Sequence, residues 1–586
     1  VAQTDKPLPT PETSTSGSAR LLWITLICAT LLLCYFYNLG LLGLMGPDEP
    51  RYAWIARSMV ETRDWITPQL YGKPWFEKPV LYYWSAALSF KVLGVNETAA
   101  RLPSAIFALL ATIGMAWLAL RIYGAQTARW LLLLLPCTVG MIGFSHAAAT
   151  DMPFAATFSL AMVCAAIVLD LTRNNDTPIL PRTPWLALLG FGFFLGLAVL
   201  AKGPAAIIFA GGSIFLWAFL TRRWRDAFRC LHPVGIAAFC ATALPWYIVC
   251  TRRNPDFLRV FIIEHNFKRY LTPEFQHIQP FWFYLPVLLV AFLPWTATLL
   301  WSIWQGSRQA FTYKQIAPST LLLLCWSLFC LIFFSISKSK LPGYILPAIP
   351  AIGLLLARSL TRFRPAHNVS FRLLIAISSA AFAAAGVVVF VMLPNAHAHG
   401  ELARANPYLV GWLLFLFAAA QALQLFREDF LLAPTAVVPL LVILAAAPAL
   451  VPRLIPRDPS GKTLARSLEG QPNLNQLYAL GMARGQRYSL SFYLRREIPA
   501  WEEAHPDRGY VLTRRSCTEA IPQPWTCTGS GEAVDDEWKI FLVTRPATES
   551  ASGLGDLGPD ALGRLGDRGS GRGGAGRSSS GDGQAE

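Results

Sequence analysis

Asp48 and Glu49 stand in the segment Gly46-Pro47-Asp48-Glu49-Pro50-Arg51-Tyr52-Ala53, directly after the first membrane-length apolar run. A carboxylate pair at the end of a hydrophobic span lies at headgroup depth, where it can accept a proton from a polar group or orient one. Cations and aromatics recur in comparable settings further along. Trp75-Phe76-Glu77-Lys78-Pro79 precedes a short apolar stretch, Thr150-Asp151-Met152-Pro153 opens a span, and Ala201-Lys202-Gly203-Pro204 closes one. Glu264-His265-Asn266-Phe267-Lys268-Arg269-Tyr270 and His277 precede Pro280-Phe281-Trp282, and Ser337-Lys338-Ser339-Lys340-Leu341-Pro342-Gly343-Tyr344 joins two spans. Cations beside carboxylates at one membrane surface suit chemistry on an anionic lipid. The cations can stabilise charge on a phosphate while a carboxylate activates or holds a second reactant.

Each segment also has a plain structural role. Lys78 and Lys202 can snorkel from apolar surroundings, the aromatics can form an interfacial belt, and Asp151 can cap a helix whose first turn holds a proline. Glu77, Glu264 and His265 are the candidates for a divalent metal, although their spacing matches no zinc signature. What favours chemistry is that so many such groups fall on one side once the spans are placed.

The spans follow from composition. The chain has 586 residues, 54% hydrophobic and 15% charged, with net charge +15; its mean hydropathy is +0.42. This describes a polytopic α-helical membrane protein with basic connections that meet anionic lipid. No basic helix or zinc spacing points to nucleic acid. Apolar runs at 21–45, 99–121, 126–145, 150–172, 184–201, 203–221, 233–251, 281–304, 317–337, 341–361, 372–393, 407–426 and 431–451 predict about thirteen transmembrane helices. The 80–94 segment is shorter and predicts an interfacial or re-entrant helix, and Arg51 onward predicts an amphipathic helix lying on the membrane.

A cytoplasmic N-terminus makes the inner connections rich in arginine, including Arg173, Arg182, Arg222, Arg223, Arg225 and Arg229. It then places Asp48, Glu77, Lys78, Asp151, Lys202, Glu264, His265, Arg269, Lys338, Lys340 and Tyr344 together on the outer face, with large loops at 46–98 and 252–280. The first apolar run is too long for a cleaved signal and reads as a signal-anchor. Residues 1–20 and 546–586 have the Pro/Ser/Thr and Gly/Ser/Arg/Asp bias of disordered segments.

Between 452 and 545 the chain is polar and predicts a small outer α/β domain, with strands at 489–494, 509–513 and 539–543 and a helix over 461–484. Cys517 and Cys527 lie there and are disulfide candidates in an oxidising compartment, whereas the nine cysteines from Cys28 to Cys330 lie in or beside apolar runs.

The ordered set of Pro47-Asp48-Glu49 with Arg51-Tyr52-Ala53, Phe76-Glu77-Lys78-Pro79, Asp151 with Pro153, Lys202-Gly203, Glu264-His265 with Arg269, Pro280-Phe281-Trp282, and Lys340-Leu341-Pro342 with Tyr344-Ile345-Leu346 resembles the C-type membrane glycosyltransferases that use polyprenyl-phosphate sugars. The match is nearest to the lipid A aminoarabinose transferases, relatives of the protein O-mannosyltransferases. The resemblance implies a C-type glycosyltransferase fold and a bacterial inner-membrane enzyme with its active site on the periplasmic side. It implies sugar transfer, for example of 4-amino-4-deoxy-L-arabinose, from undecaprenyl phosphate to lipid A or a related envelope acceptor.

It also implies roles. Asp48 and Asp151 stand at the positions essential to the reaction, and Lys78, Arg269 and Tyr344 at those that handle the donor phosphate, with Lys202 in support. Arg51, Tyr52, Glu77, His265, Lys338 and Lys340 are then candidates for contacting the substrates. Pro50 and Gly343 replace threonines of the aminoarabinose enzymes, which bears on the sugar and acceptor more than on the reaction type. A protein Ser/Thr or glycan acceptor is the alternative within this chemistry. A transporter is the alternative of another class, but it would favour mid-membrane charges and internal repeats, neither of which this chain shows.

Overall fold

The computed structural model describes residues 17–545 except 173–183, 269–277, 314–315, 364–367, 393–406, 425–431, 455–458, 470–473, 517–518, 520 and 535–536. Residues 1–16 and 546–586 and the candidates Arg269, His277 and Cys517 therefore lie outside the described residues, whereas residues 17–20, expected to be disordered, open the first helix.

The first half is a run of helices. In order they are α1 (Gly17–Tyr35), α2 (Asp48–Thr62), α3 (Leu81–Leu93), α4 (Glu97–Tyr123), α5 (Ala125–Leu134), α6 (Val139–Ser145), α7 (Asp151–Val168), α8 (Trp185–Lys202), α9 (Ala205–Thr221), α10 (Trp224–Phe228) and α11 (Pro233–Arg253). A hairpin of β1 (Gln69–Leu70) and β2 (Lys73–Pro74) links α2 to α3. Later helices include Thr296–Tyr313, Pro318–Ile336, Ile349–Phe363, Val369–Met392 and Leu432–Leu454.

Among the described residues seven helices are long and apolar enough to cross a membrane. Two further pairs pass that test jointly but are bent, by 62° between α5 and α6 and by 116° between Tyr284–Ala291 and Thr296–Ala310. Four apolar helices, Arg20–Tyr35, Ala205–Thr221, Gly411–Leu423 and Val437–Val451, are shorter. The protein is a helical, multi-pass membrane protein. Many of its large apolar side chains, Leu186, Phe215 and Phe219 among them, are exposed on helix surfaces, as suits helices in contact with lipid.

The first outer loop is itself structured. The helix predicted from Arg51 onward begins at Asp48, so both carboxylates occupy the first turn of α2, where the positive end of the helix dipole favours them. Pro50 is tolerated there because first-turn N–H groups have no intrahelical acceptor. The short apolar stretch forms α3, with Tyr82 and Tyr83 fully buried. α8 stops after Lys202 because Gly203 takes φ +96° and Pro204 follows.

Residues 470–482 and 498–545 belong to a second compact unit. It contains a mixed four-stranded sheet in the order β3 (Leu477–Ala479), β4 (Arg508–Thr513), β6 (Lys539–Thr544), β5 (Thr526–Ala533). β3 pairs parallel to β4, and the other pairs are antiparallel. Leu480, Trp501, Val511, Phe541 and Val543 form its core.

Two expectations for this region are corrected. Residues 489–494 belong not to a strand but to a helix, Arg484–Leu494, and that helix falls with the membrane unit. Its Ser489 Oγ donates to Leu44 O, and its Tyr493 hydroxyl accepts from Leu44 N. Two residues four apart reach one point only on a helix face. The single helix expected over 461–484 is instead the short helix Lys462–Leu468, followed by β3 from Leu477.

Candidate active site

Asp48 and Glu49 are adjacent but do different work. Glu49 is nearly buried, with a 12% exposed side chain. Its carboxylate accepts from Arg101 Nε at 2.9 Å and Nη2 at 2.7 Å, from Met45 N at 2.9 Å and from Ala148 N at 2.8 Å. Arg101 also donates to the carbonyls of Leu39, Leu42 and Gly43. The Glu49–Arg101 pair is therefore a clamp joining the segment after α1, the start of α2, α4 and the segment that leads into α7.

The Asp48 side chain is 48% exposed. Its Oδ1 lies 2.5 Å from Arg51 Nη2, and the same guanidinium reaches Glu77 Oε2 at 3.1 Å. Lys78 Nζ lies 3.6 Å from Glu77 Oε1. The loop thus assembles an alternating row of Asp48, Arg51, Glu77 and Lys78. Burial disfavours the charge on Arg51, but Glu77, with Asp48, more than offsets it and holds the guanidinium above its ordinary value. Burial, then Asp48 and Glu77, pushes the Tyr52 hydroxyl up; burial, then Glu77, does the same for Tyr83. Both phenols therefore stay protonated. Arg51 Nε, Trp75 Nε1 and Tyr83 Oη are buried around this row without hydrogen-bond partners. Such groups cost about 1–3 kcal/mol each when unsatisfied, and a bound polar group is one way to satisfy them.

A second cluster forms where helix ends meet. Asp151 is the first residue of α7 and Lys202 the last of α8, and Asp151 Oδ1 lies 2.5 Å from Lys202 Nζ. The N-cap position belongs to Thr150, whose side chain makes no cap bond, so Asp151 is free of the capping role foreseen for it. Each charge also complements its own helix dipole. Lys202 Nζ sits 4.8 Å from the ring centre of Tyr344, which lies in the 3₁₀ segment Pro342–Ala348. Gly343 packs so closely that a Cβ there would stand 2.8 Å from Asp151 Oδ1 and from the Phe144 ring.

The later loop segments pack on one another and, through Phe257, on the residue before Glu77. Ile278 and Ser339 form an antiparallel bridge, and Lys340 Nζ donates to Gln279 O and Ser337 O. Burial, then neighbouring Lys338, lowers the Lys340 ammonium below the ordinary lysine value. Phe76, just before Glu77, sets its ring edge-on 5.2 Å from Phe257, which stacks on Phe261 at 5.7 Å. Glu264 and His265 follow on the π-helical turn Arg259–Lys268, and Glu264 pairs with Arg259 at 2.7 Å.

The structure thus joins Asp48, Arg51, Tyr52, Glu77 and Lys78 in one group, and Asp151, Lys202 and Tyr344 in another. The Glu49–Ala148 bond ties the start of α2 to the segment before α7. Among the described residues no group of three or more His, Cys, Asp or Glu side chains could hold a metal. Glu77 is engaged by Arg51 and Lys78 instead. Cys527, on β5, is disulfide-bonded.

Sequence reasoning missed Arg101, although an arginine inside an apolar span is itself a signal. It also missed the helix Arg484–Leu494 and the network of Glu97, Lys462 and Tyr493, in which Glu97 Oε1 lies 2.5 Å from Lys462 Nζ and 2.8 Å from the Tyr493 hydroxyl.

Comparison with known proteins matches residues 21–261 to the family model of the dolichyl-phosphate-mannose-protein mannosyltransferases. The fold is shared with ArnT from Cupriavidus metallidurans, solved bound to undecaprenyl phosphate, at TM-score 0.73 and 23% identity over 89% of this chain and 98% of that one. Fold and family model define a membrane glycosyltransferase of the C type, the class whose sugar donor is carried on a polyprenyl phosphate.

Closer sequence relatives narrow the class. The undecaprenyl phosphate-alpha-4-amino-4-deoxy-L-arabinose arabinosyl transferase of Aeromonas salmonicida is 30% identical over 395 residues, 66% of this chain and 70% of that protein. The transferase of the same description from Pseudomonas aeruginosa strain UCBPP-PA14 is 32% identical over 357 residues, 61% of this chain and 62% of its own length. The chain belongs to this arabinosyl transferase family.

Proposed function

We propose that the protein transfers 4-amino-4-deoxy-L-arabinose from undecaprenyl phosphate to lipid A, or to a closely related envelope acceptor, at the periplasmic face of a bacterial inner membrane. In this reading the two bent helix pairs and the four shorter apolar helices all span, which gives thirteen crossings and puts both charged clusters on the outer side. The second compact unit, within residues 470–482 and 498–545, is the periplasmic α/β domain. The observation that carries the reading is the row Asp48–Arg51–Glu77–Lys78, with its buried unsatisfied donors, in a member of this family.

Breaking the bond between sugar and phosphate leaves charge on the lipid phosphate. Lys78, with Arg269, Lys202 and Tyr344, receives it, since preorganised cations and donors stabilise charge that develops in the transition state. For Lys202 this means exchanging part of its contact with Asp151 for the phosphate. The acceptor attacks the anomeric carbon from the opposite face, so configuration inverts and no sugar becomes attached to the enzyme. Asp48 is the carboxylate best placed to meet the acceptor, because half of its side chain is exposed while Glu49 is committed to Arg101. A hydroxyl acceptor needs Asp48 as a base. A lipid A phosphate is already anionic, and Asp48 then orients it or pairs with the ammonium of the amino sugar. Arg51, Tyr52, Glu77, His265, Lys338 and Lys340 complete the contacts to the substrates.

Mass spectrometry of lipid A from a strain lacking this gene, before and after its return, tests the acceptor and the sugar together. Loss and recovery of an aminoarabinose adduct is the expected result. Unchanged lipid A, with loss of sugar from a protein or another glycan, would reassign the acceptor.

A further inference from the structure

The helix Arg484–Leu494 comes from the polar C-terminal region, yet it packs on the first loop beside Asp48. A Cβ on Gly485 would lie 2.8 Å from the carbonyl carbon of Gly46, so the first turn of this helix abuts the backbone two residues before Asp48. Gly46 itself has φ +66°, a conformation that favours glycine. Ser489, Tyr493 and Arg57, the last donating to Phe492 O at 3.3 Å, fix the helix in that position.

What the helix delivers there is positive charge. Tyr488 is buried, and three guanidinium carbons surround its ring: Arg51 at 6.0 Å, Arg484 at 5.5 Å and Arg487 at 5.7 Å from the ring centre. Arg484 Nε also donates to the Tyr488 hydroxyl at 3.3 Å. The charge of Arg51 is answered by Asp48 and Glu77. Burial pushes the Tyr71 hydroxyl up, and Glu497 adds to that shift while Arg487 opposes it. Among the described residues no carboxylate forms an ion pair with Arg484. Arg484 and Arg487 thus add positive charge around the Tyr488 ring beside Arg51, and the positive end of the helix dipole adds to the field. Guanidinium forks match the oxygen geometry of a phosphate.

We infer that Arg484 and Arg487, held by Tyr488 against Arg51, bind a phosphate group on the headgroup of the acceptor lipid and so present that lipid to Asp48. This rests on the proposed reading that the acceptor is a phosphorylated lipid. It separates two phosphate sites: the donor phosphate belongs to Lys78, Lys202 and Tyr344, and the acceptor phosphate to the helix Arg484–Leu494.

The test is binding, with purified full-length protein in detergent, to three probes: bisphosphorylated lipid A, lipid A stripped of its phosphates, and undecaprenyl phosphate. Wild type is expected to prefer the phosphorylated lipid A. Combined replacement Arg484→Ala and Arg487→Ala is expected to weaken that affinity about tenfold or more, from the loss of charge-assisted bonds. The preference should disappear while affinity for undecaprenyl phosphate stays within about twofold. The milder Arg484→Lys and Arg487→Lys pair, which keeps the charge and serves if the alanine protein unfolds, should fall between.

Equal binding of both lipid A forms by wild type would overturn the inference. So would unchanged lipid A affinity in the variants, or a parallel loss of undecaprenyl phosphate binding, which would assign these arginines to the donor. If the phosphate preference and its loss are seen but wild type transfers no sugar to lipid A, the site stands and the acceptor reading falls.

Discussion

Asp151 and Lys202 close on each other from the ends of two packed helices, with Oδ1 and Nζ 2.5 Å apart. α7 begins with the acid and α8 ends with the base, so the pair pins the two helices at the surface where Tyr344 also sits. Both side chains are mostly buried, 19% and 13% exposed. Removing one partner of such a pair strands the other, at a cost of about 3 kcal/mol. Lys202→Met and Asp151→Asn are each expected to lower thermal stability and transfer activity, and the double replacement to recover stability without activity. A double-mutant cycle on unfolding and on transfer rate reads both. Additive stability losses would show that the contact does not hold the helices.

Glu49→Gln and Asp48→Asn should behave oppositely. The first weakens the clamp on Arg101 and leaves buried donors poorly answered, so the unfolding temperature should fall, by an equivalent of about 2–3 kcal/mol. The second alters a half-exposed group and should leave stability within about 0.5 kcal/mol while abolishing transfer. Thermal unfolding beside a transfer assay distinguishes them.

That division of labour shows where the sequence was legible. An acidic pair at the end of a span announces a site because charge is costly at that depth, and the helix-end positions of Asp151 and Lys202 follow from Pro153 and Gly203. The resemblance singled out Asp48 over Glu49, but the engagement of Glu49 by Arg101, 52 positions away in the chain, was not legible. The helix Arg484–Leu494 was misread for a related reason. Ser489-Leu490-Ser491-Phe492 alternates like a strand, and only the contact of Ser489 and Tyr493 with Leu44, more than 400 residues away in the chain, selects the helical period. The helical, multi-pass character was readable from apolar length, but the 62° bend between α5 and α6 was not.

Gly343 is sterically committed. A methyl group there meets Asp151 Oδ1 and the Phe144 ring at 2.8 Å. Gly343→Ala should push Asp151 off Lys202, costing about 1–3 kcal/mol of stability and lowering transfer about tenfold or more. Full activity in this variant would mean that the Asp151–Lys202 contact is dispensable.

Lys340 should set an alkaline limit. Burial and Lys338 lower its ammonium below 10.5, so it loses its proton earlier than an ordinary lysine as pH rises. If its charge serves transfer, the rate should fall through that lowered value, and Lys338→Met should move the fall to higher pH. The sign for stability is the reverse. Because the folded value is depressed, the contribution of Lys340 to stability is fully present above 10.5 and is lost as pH falls through the folded value. Rate and unfolding profiles between neutral and alkaline pH, for wild type and Lys338→Met, check both statements.

The central claim is that the row Asp48–Arg51–Glu77–Lys78 is the reaction centre of a glycosyl transfer. Its most direct test follows radiolabelled aminoarabinose from undecaprenyl phosphate to lipid A with purified wild type, Asp48→Ala and Lys78→Ala proteins in detergent. Wild type should transfer the label, and both variants, folded and inserted like wild type, should lose transfer by at least about a thousandfold. Transfer by both variants at the wild-type rate would contradict the account.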